Sequence, residues 1–440
     1  SGSIFSGLDL TANHANMDGG GLYATNNPST SIGFAFVQEN SSGDQGAGLY
    51  AINTTLTFTS SASFDTNIAV NEGGGGYLGS NTLLTFESLS LNKNEAKAGG
   101  GFYADGGRVI TTGTTDFSEN IATAGNGGAL YLKGNGSTAS AISNLFAQSN
   151  EANNGGAFYA DGVSLTLGTV GLSNNLAKNG NGGGAYFNNS TVTLLNPADL
   201  SDNKASQNGG AIYASSTSIV FNNGAQFKFN IAQGGNGGGV YLTTSSPKSA
   251  LFRASTFQGN EASSSGGGIY ASAVSVTISP TTSFEDNIAL AGDGGGFYVT
   301  GSSLALGGVS FKSNRAFISG GGGFFANGAL TIPTNAADAL YDDNRAQTGN
   351  GGGLAVQNAT SVIVDDALFT NNIGSVNGGA LYVSNSPLTV QNGVNFTTNS
   401  AGRGGAILVT GSNTTLNNLT FSKNTATNGG GALHITTGIL

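Results

Sequence analysis

The sequence predicts an all-β fold, a single right-handed parallel β-helix of about sixteen coils running through residues 1–440. Three observations predict it. A unit of 26 to 30 residues recurs sixteen times from residue 10 to residue 434, as in Phe284–Val299, FEDNIALAGDGGGFYV. Apolar and polar residues alternate with period two, the pattern of a half-buried strand, and no stretch shows a helical period over a useful length. All six prolines, Pro28, Pro197, Pro247, Pro280, Pro333 and Pro387, flank one segment of the repeat, where a residue without an N–H is tolerated.

Each repeat reads as three short strands. One follows the glycines, as in Gly127–Lys133; one is a Ser/Thr-spaced apolar alternation, as in Val274–Ile278; one ends at an Asn, as in Ser283–Asn287. Strands this short with no crossover helix suit a solenoid whose coils stack on one another, and parallel crossovers are right-handed in nearly every case. At about 4.8 Å per strand the expected length is roughly 75 Å. Neither end shows an obvious cap, Ser1–Leu10 having no amphipathic helix and Ala432–Leu440 stopping just after a strand. We therefore expect a piece of a longer β-helix or ends that meet other copies.

In a solenoid each repeat position becomes a column. The most specific is Asn13, Asn40, Asn67, Asn94, Asn120, Asn150, Asn175, Asn203, Asn230, Asn260, Asn287, Asn314, Asn344, Asn372, Asn399 and Asn424. An amide both donates and accepts, so this column is expected to be a buried structural ladder fixing a turn. Three residues earlier stand the core positions, from Leu10 through Phe284 and Tyr341 to Phe421, with Ala147 the outlier; its neighbour Phe146 is expected to take that site through a local bulge. The glycine pairs that open each first strand, from Gly19 through Gly321 to Gly430, are expected to supply positive φ or close backbone approach.

Twelve of the thirteen tyrosines share a third column: Tyr23, Tyr50, Tyr77, Tyr103, Tyr131, Tyr159, Tyr186, Tyr213, Tyr241, Tyr270, Tyr298 and Tyr382. Their apolar flanks, such as Leu130 and Leu132 around Tyr131, point inward, so the phenols point out as a ridge. The ridge either seals a sheet face by stacking or serves as a candidate binding surface for another protein, a glycan or a further copy of the chain.

Composition narrows the functions. Fourteen basic and twenty-four acidic residues, without a basic run, leave no footprint for nucleic acid. Without Cys and with only His14 and His434, no thiolate or His-based site can form; no catalytic residue, metal or cofactor is assigned. Charge is densest around Glu285, Asp286, Lys312, Arg315, Asp338, Asp342, Asp343, Arg345, Asp365 and Asp366. Polysaccharide-active β-helix enzymes carry carboxylates on one face, but mixed signs on adjacent coils read as solvated pairs, so no enzyme is expected. No stretch approaches the length of a transmembrane span.

The motif FxxN, as at Phe117–Asn120 and Phe369–Asn372, coupled to GGA(I/L/V), as at Gly127–Leu130, Gly209–Ile212, Gly378–Leu381 and Gly404–Ile407, resembles the repeats of the chlamydial polymorphic outer membrane proteins. The resemblance implies an autotransporter passenger displayed extracellularly or at the outer-membrane surface, a β-helix acting as an adhesin and able to oligomerise. The alternative is a structural subunit of an extracellular fibre or sheath.

Overall fold

The computed structural model describes residues 3–134, 139–333 and 339–436. It is an all-β parallel solenoid of about sixteen turns with three parallel sheets, and no helix occurs among the described residues. The chain divides into two compact units, Ser1–Ser206 with Ala211–Ile219, and Gln207–Gly210 with Val220–Leu440.

The strands are placed differently from the expected pattern. The segment before the Asn and the Ser/Thr-spaced segment lie in one sheet, sheet A. In most turns of the first unit they fuse into strands of 9 to 11 residues such as Thr30–Gln38, Thr55–Asp65 and Leu83–Asn92, whereas Thr191–Leu194 and Ala198–Ser201 are separate. In the second unit they stay separate, as in Ser275–Ile278 and Ser283–Glu285. Sheet B is built from strands mostly two residues long that start just after the Asn, such as Ile68–Ala69 and Ile288–Ala289. Sheet C follows the glycines, as in Leu130–Lys133 and Phe297–Thr300. Sheet B escapes the sequence because two residues cannot display a period.

The turn from sheet A into sheet B has one backbone solution throughout. The residue before each Asn takes positive φ whatever its side chain: Ala12, Lys93, Phe229 and Asp286 do so at 56°, 55°, 55° and 55°. For a non-glycine residue this left-handed conformation costs roughly 1–2 kcal/mol, so the surroundings must impose it. Asn and Asp tolerate it best, which accounts for Asn174, Asp202, Asp286, Asp343 and Asn371 at this position. At the second turn, into sheet C, the first glycine of each motif has positive φ. In the twelfth repeat that residue is Gly320, one before the expected Gly321. The next glycine is needed for space: a Cβ on Gly74 would sit 2.5 Å from the carbonyl oxygens of both Glu95 and Gly100.

The core fills with residues three before the Asn. In the second unit Phe227, Phe257, Phe284, Phe311, Tyr341, Phe369, Phe396 and Phe421 form an internal stack with centroids 4.5–5.1 Å apart. In the first unit the expected bulge at Phe146 does not form. Ala147 keeps the core position at 1% exposure, in register with Leu172, while Phe146 is 48% exposed. The Phe146 ring instead lies over Gly171, where a Cβ would meet its Cδ1 at 3.0 Å.

Candidate functional site

The Asn column is a continuous hydrogen-bond ladder within each unit. In the first, Asn40 Nδ2 donates to Asn67 Oδ1 at 3.0 Å, Asn67 to Asn94 at 3.0 Å, and Asn94 to Asn120 at 3.0 Å. The same Oδ1 accepts the backbone N–H of the Asn one turn earlier, as Asn94 Oδ1 does from Asn67 at 3.0 Å. The second Nδ2 hydrogen goes to the carbonyl of a core residue, Val37 for Asn67 at 2.8 Å and Phe284 for Asn314 at 2.9 Å. In the second unit the ladder runs from Asn230 through Asn260, Asn287, Asn314, Asn344, Asn372 and Asn399 to Asn424. Buried amides inside the ladder, such as Asn67, Asn94 and Asn314, thus use both donors and the acceptor inside the wall.

A second ladder, not anticipated from the sequence, runs just before the glycine motif. It mixes side chains: Asn154 Nδ2 donates to Asn126 Oδ1 at 2.9 Å, the Ser265 N–H to Asn236 Oδ1 at 3.0 Å, and the Ser319 N–H to Asp293 Oδ1 at 2.8 Å. Burial pushes the Asp293 carboxyl above its ordinary range, and the Ser319 N–H draws it partly back. The available signal was a small polar residue immediately before the glycines.

The tyrosines line the outer face of sheet C. In the first unit the register pairs Tyr23, Tyr50, Tyr77, Tyr103, Tyr131, Tyr159, Tyr186 and Tyr213 turn by turn. Neighbouring rings are 4.4–5.7 Å apart and tilted by only 8–21°. In the second unit Tyr241, Tyr270 and Tyr298 stack at 4.9 Å, and Phe324 continues the column 5.0 Å from Tyr298. Ala355 then interrupts it before Tyr382, and both Tyr298 and Tyr382 rest against the small cluster of Phe324, Ala326 and Ala355. Beside the first unit's rings runs a polar column, where Lys133 Nζ lies 3.1 Å from Asp105 Oδ2 and Asn188 donates to Asp161 at 2.8 Å.

Stacking decides what this face can do. Within the unbroken stacks each ring covers its neighbour's face, so solvent meets ring edges and hydroxyl tips. A sugar has no free aromatic face to lie on along the column, whereas a protein surface can use edges and phenolic hydrogen bonds. Half-burial also raises the pKa of phenols inside the stack. Tyr103 is pushed up to about 12 by burial first and by the Asp105 carboxylate second, and Tyr77 to about 12 by the same two causes.

The charged residues do not converge. Lys312 is in register with both Glu285 and Asp342, and pairs loosely with Glu285 at 3.9 Å. Asp342 accepts from Asn371 at 3.0 Å and Asp343 from Ser313 at 3.3 Å, while Asp365, only 7% exposed, accepts from Asn392 at 3.4 Å. Asp286, Asp343 and Asp366 all sit at positive φ, so backbone conformation accounts for them. Asp338 lies outside the described residues. Among the described residues no group of three or more His, Asp or Glu is placed to hold a metal ion.

Four stretches, residues 197–215, 254–272, 366–384 and 418–436, match the family model described as Chlamydia polymorphic membrane protein (Chlamydia_PMP) repeat. Four of the sixteen repeats are thus similar to polymorphic membrane protein repeats. Each matched stretch spans a core position, the ladder Asn, the glycines and the sheet C strand, as from Phe369 through Asn372 and Gly378 to Tyr382. The matched residues are thus those that close one turn of this chain. Such repeats point in general terms to an outer-membrane or surface location. No curated protein and no solved structure matched the chain. No helix among the described residues is long and apolar enough to cross a membrane.

Proposed function

We propose that the chain is a surface-displayed autotransporter passenger that works as an adhesin, and that the tyrosine face of sheet C is what its partner touches. The repeat match supports display; the in-register, half-exposed tyrosines support the contact face. Tyr is enriched where one protein meets another because it offers rigid apolar area and a hydrogen-bonding tip at low entropic cost. The partner is accordingly a protein on a cell surface rather than a glycan, and the role is binding, not turnover.

Two variants of the purified chain test this. Replacing Tyr103, Tyr131 and Tyr159 together by Ser is expected to lower host-cell binding by about tenfold or more, since buried aromatic anchors carry most contact energy. Replacing Asp342, Asp343, Asp365 and Asp366 by Asn is expected to leave binding unchanged. Circular dichroism must show both variants folded. Undiminished binding by the tyrosine variant would contradict the reading, as would polysaccharide cleavage by the wild type that the Asn variant abolishes.

A further inference from the structure

We propose that the tyrosine column of the first unit is an oxidation site, where a one-electron oxidant couples neighbouring rings into inter-turn carbon–carbon cross-links. The proposal does not depend on adhesion. It starts from what the chain lacks: there is no Cys and no Trp, and one Met, so the side chains that ordinarily intercept oxidants are almost missing. Met17, 66% exposed, loses two electrons as its sulfur takes up an oxygen atom, a reaction that forms no cross-link. Thirteen tyrosines are then the oxidisable groups, and eight of them form one stack.

Geometry favours coupling within that stack. Neighbouring rings are held near-parallel at 4.4 Å for Tyr103 and Tyr131, 4.7 Å for Tyr131 and Tyr159, and 4.6 Å for Tyr186 and Tyr213. The strands on which they stand are paired in register, so each radical faces a ring of the next turn rather than a distant one. Tyr23, 57% exposed, is the open entry for an oxidant, and Asp105 and Asp161 two residues after Tyr103 and Tyr159 lie on the same face as proton acceptors.

Each of two phenols loses one electron and its hydroxyl proton; the two radicals join through the carbons ortho to oxygen. The hydrogen on each joined carbon then moves to oxygen and restores the phenols. Two electrons and two protons leave in total, and hydrogen peroxide acting through a haem peroxidase takes them up to give two waters. The product is a covalent bridge between successive turns, which are otherwise joined only by non-covalent contacts such as the ring stacking and the Lys133–Asp105 pair.

The test treats the folded chain with a haem peroxidase and hydrogen peroxide and maps products by tandem mass spectrometry. The expected product is a monomer lighter by two hydrogens per link, joined between column neighbours such as Tyr103 and Tyr131. Its yield should exceed that of the urea-unfolded chain by about tenfold or more, because proximity is then lost. Tyr131→Phe keeps a ring in the column, as Phe324 does beside Tyr298. It should abolish the links from Tyr103 and Tyr159 to position 131 while sparing those among Tyr23, Tyr50 and Tyr77. Equal yields folded and unfolded, links mainly between molecules, or oxidation confined to Met17 would overturn the proposal.

Discussion

Tyr341 occupies a core position that its neighbours Phe311 and Phe369 fill with phenylalanine, and its hydroxyl is fully buried with no hydrogen-bond partner. Burial accordingly drives its ionisation far above the ordinary phenol range. An unsatisfied buried hydroxyl costs on the order of 1–3 kcal/mol, so Tyr341→Phe is expected to stabilise the second unit by about 1 kcal/mol, read as a higher thermal midpoint. A lower midpoint would show that the hydroxyl has a partner. Asp293 makes a second case. Its folded carboxyl holds its proton to higher pH than the unfolded one, so ionisation favours the unfolded state. Stability is therefore greatest below the unfolded value near 4 and falls as pH rises through the raised value. Asp293→Asn, which supplies the amide found at Asn236 and Asn350 in the same ladder, should remove that slope and raise the midpoint at pH 7. Midpoints measured from pH 3 to pH 8 check it, and an unchanged slope would contradict it.

At the scale of the element, the two long-range devices are the Asn ladder and the turns it closes. Asn314 gives hydrogen bonds to Asn344 Oδ1 and the Phe284 carbonyl, and accepts from Asn287. Asn314→Ala strips all of these from a buried wall, and denaturant unfolding should show a loss of about 3 kcal/mol. A loss below about 1 kcal/mol would mean the turn holds itself without the ladder. Much of this element was legible in the sequence, because Asn at a fixed distance from both a core aromatic and a glycine pair has few other uses. The positive φ before it was not legible, since Ala12, Lys93 and Phe229 share no side-chain chemistry. The cause lies in the backbone path rather than in the residue. Phe229 even finds its place by lying over Gly259, where a Cβ would meet the ring at 2.7 Å.

For the whole molecule, the repeat of one sequence unit specifies the fold more strongly than any single residue does. Ala147 shows it: the core position keeps its register although the large side chain beside it points to solvent. The alignment of the tyrosines was legible for the same reason, through alternation with inward residues such as Leu130 and Leu132. What covers the ridge was not, because outward positions of a sheet carry no constraint from the core. Sheet B was also hidden, its turns being set by hydrogen bonding such as the Ile288 N–H to the Asn260 carbonyl at 2.9 Å.

The ladders and the tyrosine column require successive turns to stack position on position, and a chain without Cys lets that be measured directly. In sheet C, Thr243 is in register with Ser272, and Ser272 with Thr300. Adjacent strands about 4.8 Å apart fall within disulfide reach, whereas a partner two strands away does not. Pairs of Cys introduced at 243 and 272, or at 272 and 300, are predicted to form an intramolecular disulfide rapidly under mild oxidation, and a pair at 243 and 300 is predicted not to. Failure of both neighbouring pairs, or equally fast closure of the distant one, would contradict the stacked register.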